Sequence, residues 1–194
     1  MSECDSSHTE PWAVAVYSQK RLDLSRFWYD DVNIKDISHA LSLTCRYNGH
    51  CTYHYSVAQH CVYVHNMLKY YERVNDEICH TGLLHDASEA YLQDIIRGCK
   101  RQMPCYLNIE GTIQNIIYER YGIYNHAASH DVVKLWDNRV LRSEVQALFP
   151  RWEALFPRIT EVEPAYVTIE PWTPAYAEER FLGLAQYYFR ERGL

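Results

Sequence analysis

Thr81-Gly82-Leu83-Leu84-His85-Asp86-Ala87-Ser88-Glu89-Ala90-Tyr91-Leu92-Gln93-Asp94 runs from an apolar stretch straight into two adjacent metal-type ligands, His85 and Asp86, with carboxylates following at Glu89 and Asp94. Acids and imidazoles gathered beside apolar residues are costly unless something pairs them. A divalent cation would give each of these groups a partner. The apolar run reads as a helix over Asp76–Leu84 that delivers His85 and Asp86 at its end, and 91–98 reads as irregular.

Working outward, two further helices offer the missing ligands. Over 55–71, Val57, Cys61, Val64 and Leu68 form one stripe at helical spacing, and His60 borders it, so its imidazole is expected to point inward. Over 131–148, Val133, Val140 and Leu148 share a face with Asp137, an acid in an apolar stripe that needs a partner. Glu144 falls on the same face and reads as a supporting or structural acid. Each residue alone has a bland explanation: a hydrogen-bonded core histidine, a polar helix end, an acid paired with Arg139 or Arg142. Taken jointly, His60, His85, Asp86 and Asp137 make a set of two imidazoles and two carboxylates. Such a set suits Zn, Mn, Co or Fe and leaves positions for water and substrate.

The remaining chain is mostly helical. Period-two alternation of Val14, Val16, Leu22 and Leu24 around a polar turn predicts a small β-hairpin within 13–29. Ile34, Ile37 and Leu41, with Asn33 as cap, predict a helix that fades near Arg46-Tyr47-Asn48-Gly49. Pro104 precedes a helix expected at 107–121 and closed by Gly122. Pro150 stops the helix that carries Asp137, and 150–174 reads as a surface connection with a short extended piece near 166–169. A last amphipathic helix is expected over 175–190; its Phe181, Leu184, Tyr187 and Tyr188 offer either an oligomer contact or a face for its own core. The expectation is a mainly α fold in one domain spanning 1–194, with 1–12 a polar tail.

With 194 residues, 47% of them apolar, the chain can bury a sizeable core. A net charge of -6 argues against DNA or RNA binding, which needs a basic face, but not against a small anion held by local Arg and Lys. There is neither a bilayer-length apolar run nor a basic-then-apolar leader. Seven cysteines without a C-x-x-C pair read as reduced thiols, and the expected location is the cytoplasm. Cys45, Cys51, Cys61, His50 and His54 cluster in sequence, but their spacing is wrong for a zinc knuckle.

The pattern His60, His85-Asp86, Asp137 resembles the H…HD…D signature of the HD-domain phosphohydrolases. Asp36-Ile-Ser-His-Ala-Leu-Ser42, Arg46-Tyr-Asn-Gly-His50, Tyr55-Ser-Val-Ala-Gln-His60 and His85-Asp-Ala-Ser-Glu-Ala-Tyr91 extend the likeness to small phage and prophage members. These are similar in turn to phage dATP triphosphohydrolases and bacterial 5′-deoxynucleotidases. The likeness covers about 17–148. It implies an HD-type helical bundle in which His60, His85, Asp86 and Asp137 hold the metal, with an additional Mg compatible. It further implies that Glu89 orients or deprotonates water, that Asp94 acts near the leaving oxygen or sugar, and that Arg46 grips phosphate. Arg97 and Lys100 offer further phosphate charge, and Tyr47 and His50 are candidates for the base pocket. The expected activity is release of triphosphate from a dNTP, dATP among the candidates. The alternatives are a dNMP 5′-nucleotidase and a non-catalytic nucleotide-sensing or host-protein-binding protein. The implied partners are a small-molecule nucleotide and a second copy of the chain.

Overall fold

The computed structural model describes residues 13–190, so the expected tail at 1–12 lies outside the described residues. The fold is mainly α with one small hairpin near its start. Strands β1 (Ala13–Ala15) and β2 (Arg21–Asp23) pair antiparallel, with Val14 opposite Leu22. Leu22 is buried, and the Ser18 backbone N–H and hydroxyl both donate to the Asp36 carboxylate, at 2.7 and 2.9 Å. The hairpin is thereby tied to α1 (Ile34–Leu43), where Asn33 caps the first turn by accepting from the Lys35 N–H. Ile37 and Leu41 of α1 are completely buried.

α1 ends before Arg46, because the chain turns at Thr44 and forms a tight turn at Arg46–Gly49. Tyr47, Asn48 and Gly49 are consecutively left-handed, with φ of 57°, 50° and 74°. Asn tolerates this region and Gly adopts it freely, whereas Tyr47 is strained there. The turn is pinned at both ends. Cys45 bridges Ser56, the Arg46 N–H donates to the Tyr55 carbonyl (2.9 Å), and the Thr52 N–H donates to the Leu148 carbonyl (3.2 Å).

α2 (Val57–Met67) begins at a Ser56 cap, continues as one wide turn at Leu68–Glu72, and stops at left-handed Arg73. It is central: α1, α3 (Asp76–Leu84), α7 (His126–Leu148) and α9 (Pro174–Phe189) all pack on it. Gly82 lets α3 approach α2 closely. A Cβ there would lie 2.2 Å from Leu68 Cδ1.

The stretch 91–98 is more ordered than the sequence implies. α4 (Glu89–Leu92) and α5 (Arg97–Lys100) flank a short link, and Gln93 takes φ 73° where α4 ends. α6 (Pro104–Arg120) starts at Pro104 itself, since proline at the first helical position lacks only an N–H that the helix leaves unpaired anyway. α7 likewise begins five residues before the expected 131.

The connection 150–174 is not simply surface loop. It contains α8 (Trp152–Leu155) and a 3₁₀ turn (Pro157–Glu161), and the piece at 166–169 joins no sheet. Side chains grip its backbone instead. Ser143 donates to Ala165 O (3.0 Å), Tyr63 to Thr168 O (3.3 Å), Tyr53 to Ile169 O (3.3 Å) and Gln59 to Glu170 O (2.7 Å). α9 spends its apolar face on its own core. Phe181 and Tyr188 are buried and Leu184 is half-buried, while Tyr187 remains exposed.

No helix among the described residues is long and apolar enough to cross a membrane. Among the described residues Cys45, Cys51, Cys61, Cys79 and Cys99 are free thiols, whereas Cys105 is disulfide-bonded, which departs from the expectation of reduced thiols throughout.

Candidate metal centre

α2, the end of α3 and the middle of α7 converge on one point. His60, His85 and Asp86 each place a ligand atom within 4.8 Å of the others. His60 Nε2 lies 3.3 Å from His85 Nε2, and Asp86 Oδ2 lies 3.2 Å from His85 Nε2 and 3.8 Å from His60 Nε2. Donor atoms bound about 2.0–2.2 Å from one ion sit about 3.0–3.5 Å apart, so these separations have the scale of one coordination sphere. Asp137 joins through His60: its Oδ1 is 3.3 Å from the same Nε2, while its Oδ2 is held by Lys134 and, at 3.5 Å, by Arg97.

The tautomers favour a cation. His60 Nδ1 donates to Glu144 Oε1 (2.6 Å), and His85 Nδ1 donates to the Gly82 carbonyl (2.8 Å). With both Nδ1 atoms committed as donors, the two Nε2 lone pairs face one another and need a positive charge between them. Burial disfavours charge on His85, yet Asp86 beside it outweighs burial and lifts its pKa well above the ordinary value. Burial likewise opposes charge on Asp86 and Asp137, but His85 acting on the first and His60 on the second hold both carboxyls well below the usual range.

Glu144 is the hub behind the ligands. It is wholly buried and accepts from Tyr47 Oη (2.6 Å) and Tyr55 Oη (3.0 Å) as well as from His60. Arg46 Nε approaches it at 3.3 Å as an ion pair with no aligned hydrogen bond. Burial would raise the Glu144 pKa, but Arg46 and His60 reverse this and bring it down to about 2. The sequence marks Glu144 as a supporting acid and gives no sign that Tyr55 belongs to the same network.

A cavity of about 650 Å³ opens over the cluster. It is lined by the candidate ligands His85, Asp86 and Asp137 and by six other sequence candidates, Arg46, Tyr47, Glu89, Asp94, Arg97 and Lys100. Glu89 is buried, and its Oε2 has no hydrogen-bond partner. Burial and the nearby charges of Asp86 and Asp94 raise the Glu89 pKa well above its usual value. Lys100 bridges Glu89 (3.3 Å) and Glu110 (2.6 Å), and Arg46 reaches Asp86 at 3.5 Å.

Two expectations for the base pocket need revision. His50 is exposed and does not line the cavity, because the left-handed turn directs it away. Tyr47 does line the cavity, but its hydroxyl is tied to Glu144 and its ring packs edge-on against Phe149 and Phe156. Conversely, Lys134, His130 and His126 of α7 border the same space. Their spacing of four residues was the available signal, hidden because the helix reads as starting after the two histidines.

No protein-family model matches the chain. The uncharacterized protein YfdR of Escherichia coli (strain K12) is 38% identical over 110 residues, which is 57% of this chain and 58% of that protein. The match thus spans less than two thirds of the relative's length.

Proposed function

We propose that the protein is a divalent-metal-dependent phosphohydrolase of the HD-domain type acting on deoxynucleotides, with a dNTP cleaved to deoxynucleoside and triphosphate. The observation that carries the reading is the pair of imidazole Nε2 atoms 3.3 Å apart with a carboxylate against both, beneath a cavity edged with cations.

His60, His85 and Asp86 can hold the ion, and Asp137 is the proposed fourth ligand. The two-imidazole, two-carboxylate donor set fits Zn, Mn, Co or Fe. Such an ion, when bound, activates water and offsets phosphoryl charge. Glu89 takes the proton from the attacking water; its unpartnered buried oxygen and raised pKa suit a general base. Asp94, on the cavity wall, serves the leaving 5′-oxygen or the sugar. Arg46, Arg97, Lys100 and Lys134 take up the phosphate charge. These four cations are held in place by the carboxylates of Asp86, Glu89, Glu110, Asp137 and Glu144, and together they offer more positive groups than a monophosphate engages, which supports the triphosphate. The apolar wall of Phe156 and Leu141 is where the base would rest.

The test is incubation of protein loaded with Mn, Co or Zn with each dNTP and dNMP, followed by identification of the phosphorus product. Triphosphate release supports the reading, and orthophosphate from dNMPs alone moves it to a 5′-deoxynucleotidase. Failure to turn over any nucleotide with the metal verified in place would defeat it in favour of a binding protein.

A further inference from the structure

The turn that presents Arg46 and Tyr47 is bracketed by two thiols. Cys45 precedes it, Cys51 follows it, and their Sγ atoms are 3.9 Å apart. Both side chains are half-buried, so a small oxidant can reach them, whereas Cys61 and Cys79 are buried. A disulfide needs its sulfurs at about 2.05 Å, a closure that side-chain rotation and a slight tightening of the turn can supply. The bracketed turn carries backbone strain at Tyr47, which is left-handed with φ 57°. Its residues also feed directly into Glu144, which receives Arg46, Tyr47 and His60.

We propose that Cys45 and Cys51 form a reversible disulfide that fastens the Arg46–Gly49 turn. The oxidant is a peroxide or a low-molecular-weight disulfide. With hydrogen peroxide, the Cys45 thiolate attacks an oxygen and becomes the sulfenic acid, releasing hydroxide that is protonated to water. Cys51 then attacks that sulfur and expels a second water. The two thiols lose two protons and two electrons, and the peroxide gains them. With a disulfide such as oxidised glutathione, Cys45 first forms the mixed disulfide and Cys51 displaces the second thiol. Cys45 is the attacking group. Cys51 lies 3.0 Å from the Tyr53 carbonyl, and burial together with Cys45 raises its pKa to about 11, which keeps it a thiol until the second step.

The sequence makes the product easy to map. Trypsin cuts at Arg46, between the two cysteines, leaving Cys45 in peptide 36–46 and Cys51 in peptide 47–69. After mild peroxide or oxidised glutathione treatment and alkylation of free thiols, the two peptides should be linked and should separate on reduction. Peptide 47–69 also contains Cys61, so the link should vanish in Cys51→Ser and persist in Cys61→Ser. Amide exchange across 46–52 should slow several-fold in the oxidised protein. Absence of the link under conditions that oxidise exposed Cys99, a link that survives Cys51→Ser, or unchanged exchange in fully linked protein would each overturn the proposal.

Discussion

His60 Nδ1 sits 2.6 Å from Glu144 Oε1, and neither side chain has measurable solvent exposure. The ionised carboxylate can only accept, so it fixes the imidazole proton on Nδ1 and turns Nε2 toward the ligand cluster. Glu144→Gln keeps the shape but removes the charge, and leaves buried Arg46 with Asp86 alone as its counter-ion. The expected result is a fall of about 10- to 100-fold in divalent-metal affinity, measured by calorimetric titration, with helical content retained by circular dichroism. Unaltered affinity would show that Glu144 does not set the histidine.

The cluster itself makes a stricter demand. Metal binding only to the folded state should raise the melting temperature in proportion to the logarithm of free metal. In His85→Ala that response should disappear, together with the metal found by elemental analysis, and chelator should bring the wild type down to the variant's level. A metal-dependent rise that persists in His85→Ala places the ion elsewhere.

Lys134 touches Asp137 and borders the cavity, which gives it two separable roles. If Lys134 binds phosphate, Lys134→Ala should raise KM for a dNTP by about 10- to 100-fold, the scale of one charge-assisted hydrogen bond. KM for a dNMP should move far less. Equal loss on both substrates, with metal content reduced, would instead make Lys134 a partner of Asp137 alone.

His65 supplies a pH signature away from the metal. It is buried, with Nε2 2.8 Å from Tyr188 Oη of α9 and Nδ1 3.1 Å from Asn66 Oδ1. Burial lowers its pKa from 6.5 to about 4. Between those values the unfolded chain binds a proton that the fold refuses, so the stability is full above pH 6.5 and declines as pH falls toward 4. At about 1.4 kcal/mol per unit the loss approaches about 3 kcal/mol. Denaturant titrations of the wild type and His65→Gln across pH 4–7 should diverge in this window, the variant being flatter. Parallel curves would exclude His65 as the source.

Gly82 tests the packing that positions the centre. Its Cβ would strike Leu68, which is completely buried and has little room to yield, and its carbonyl orients His85. Gly82→Ala should cost about 1–3 kcal/mol by overpacking, read from chemical denaturation, and should weaken metal binding as well.

Much of the scaffold could be read along the chain because periodicity reports burial. Val57, Cys61, Val64 and Leu68 are all buried as their stripe requires, and His60 and Asp137 turn inward beside such stripes. The set of candidate ligands on α2, α3 and α7 was legible only jointly, since each residue alone has an ordinary explanation while two imidazoles and two carboxylates beside apolar stripes do not. His50 could not be placed, since the turn it follows reverses direction through three left-handed residues that leave no periodic trace. Lys134, His130 and His126 went unnoticed because an exposed basic residue on a helix looks the same whether it faces water or a cavity. Within 150–174 the helix at Trp152–Leu155 and the 3₁₀ turn at Pro157–Glu161 are too short to leave a periodic trace, and 166–169 joins no ladder because distant side chains satisfy its backbone.

The grip of Gln59, Tyr53 and Tyr63 on the backbone of 168–170 has a practical corollary. These anchors lie on or just before the helix that carries His60, and Gln59 has no exposure of its own. A version trimmed after α7 would strip that amide of its acceptor and uncover the seat of Phe181, so the smallest viable unit has to run through Phe189. Insertions aimed at the tail end of the molecule belong in the exposed 3₁₀ turn at Pro157–Glu161, where little else would be disturbed.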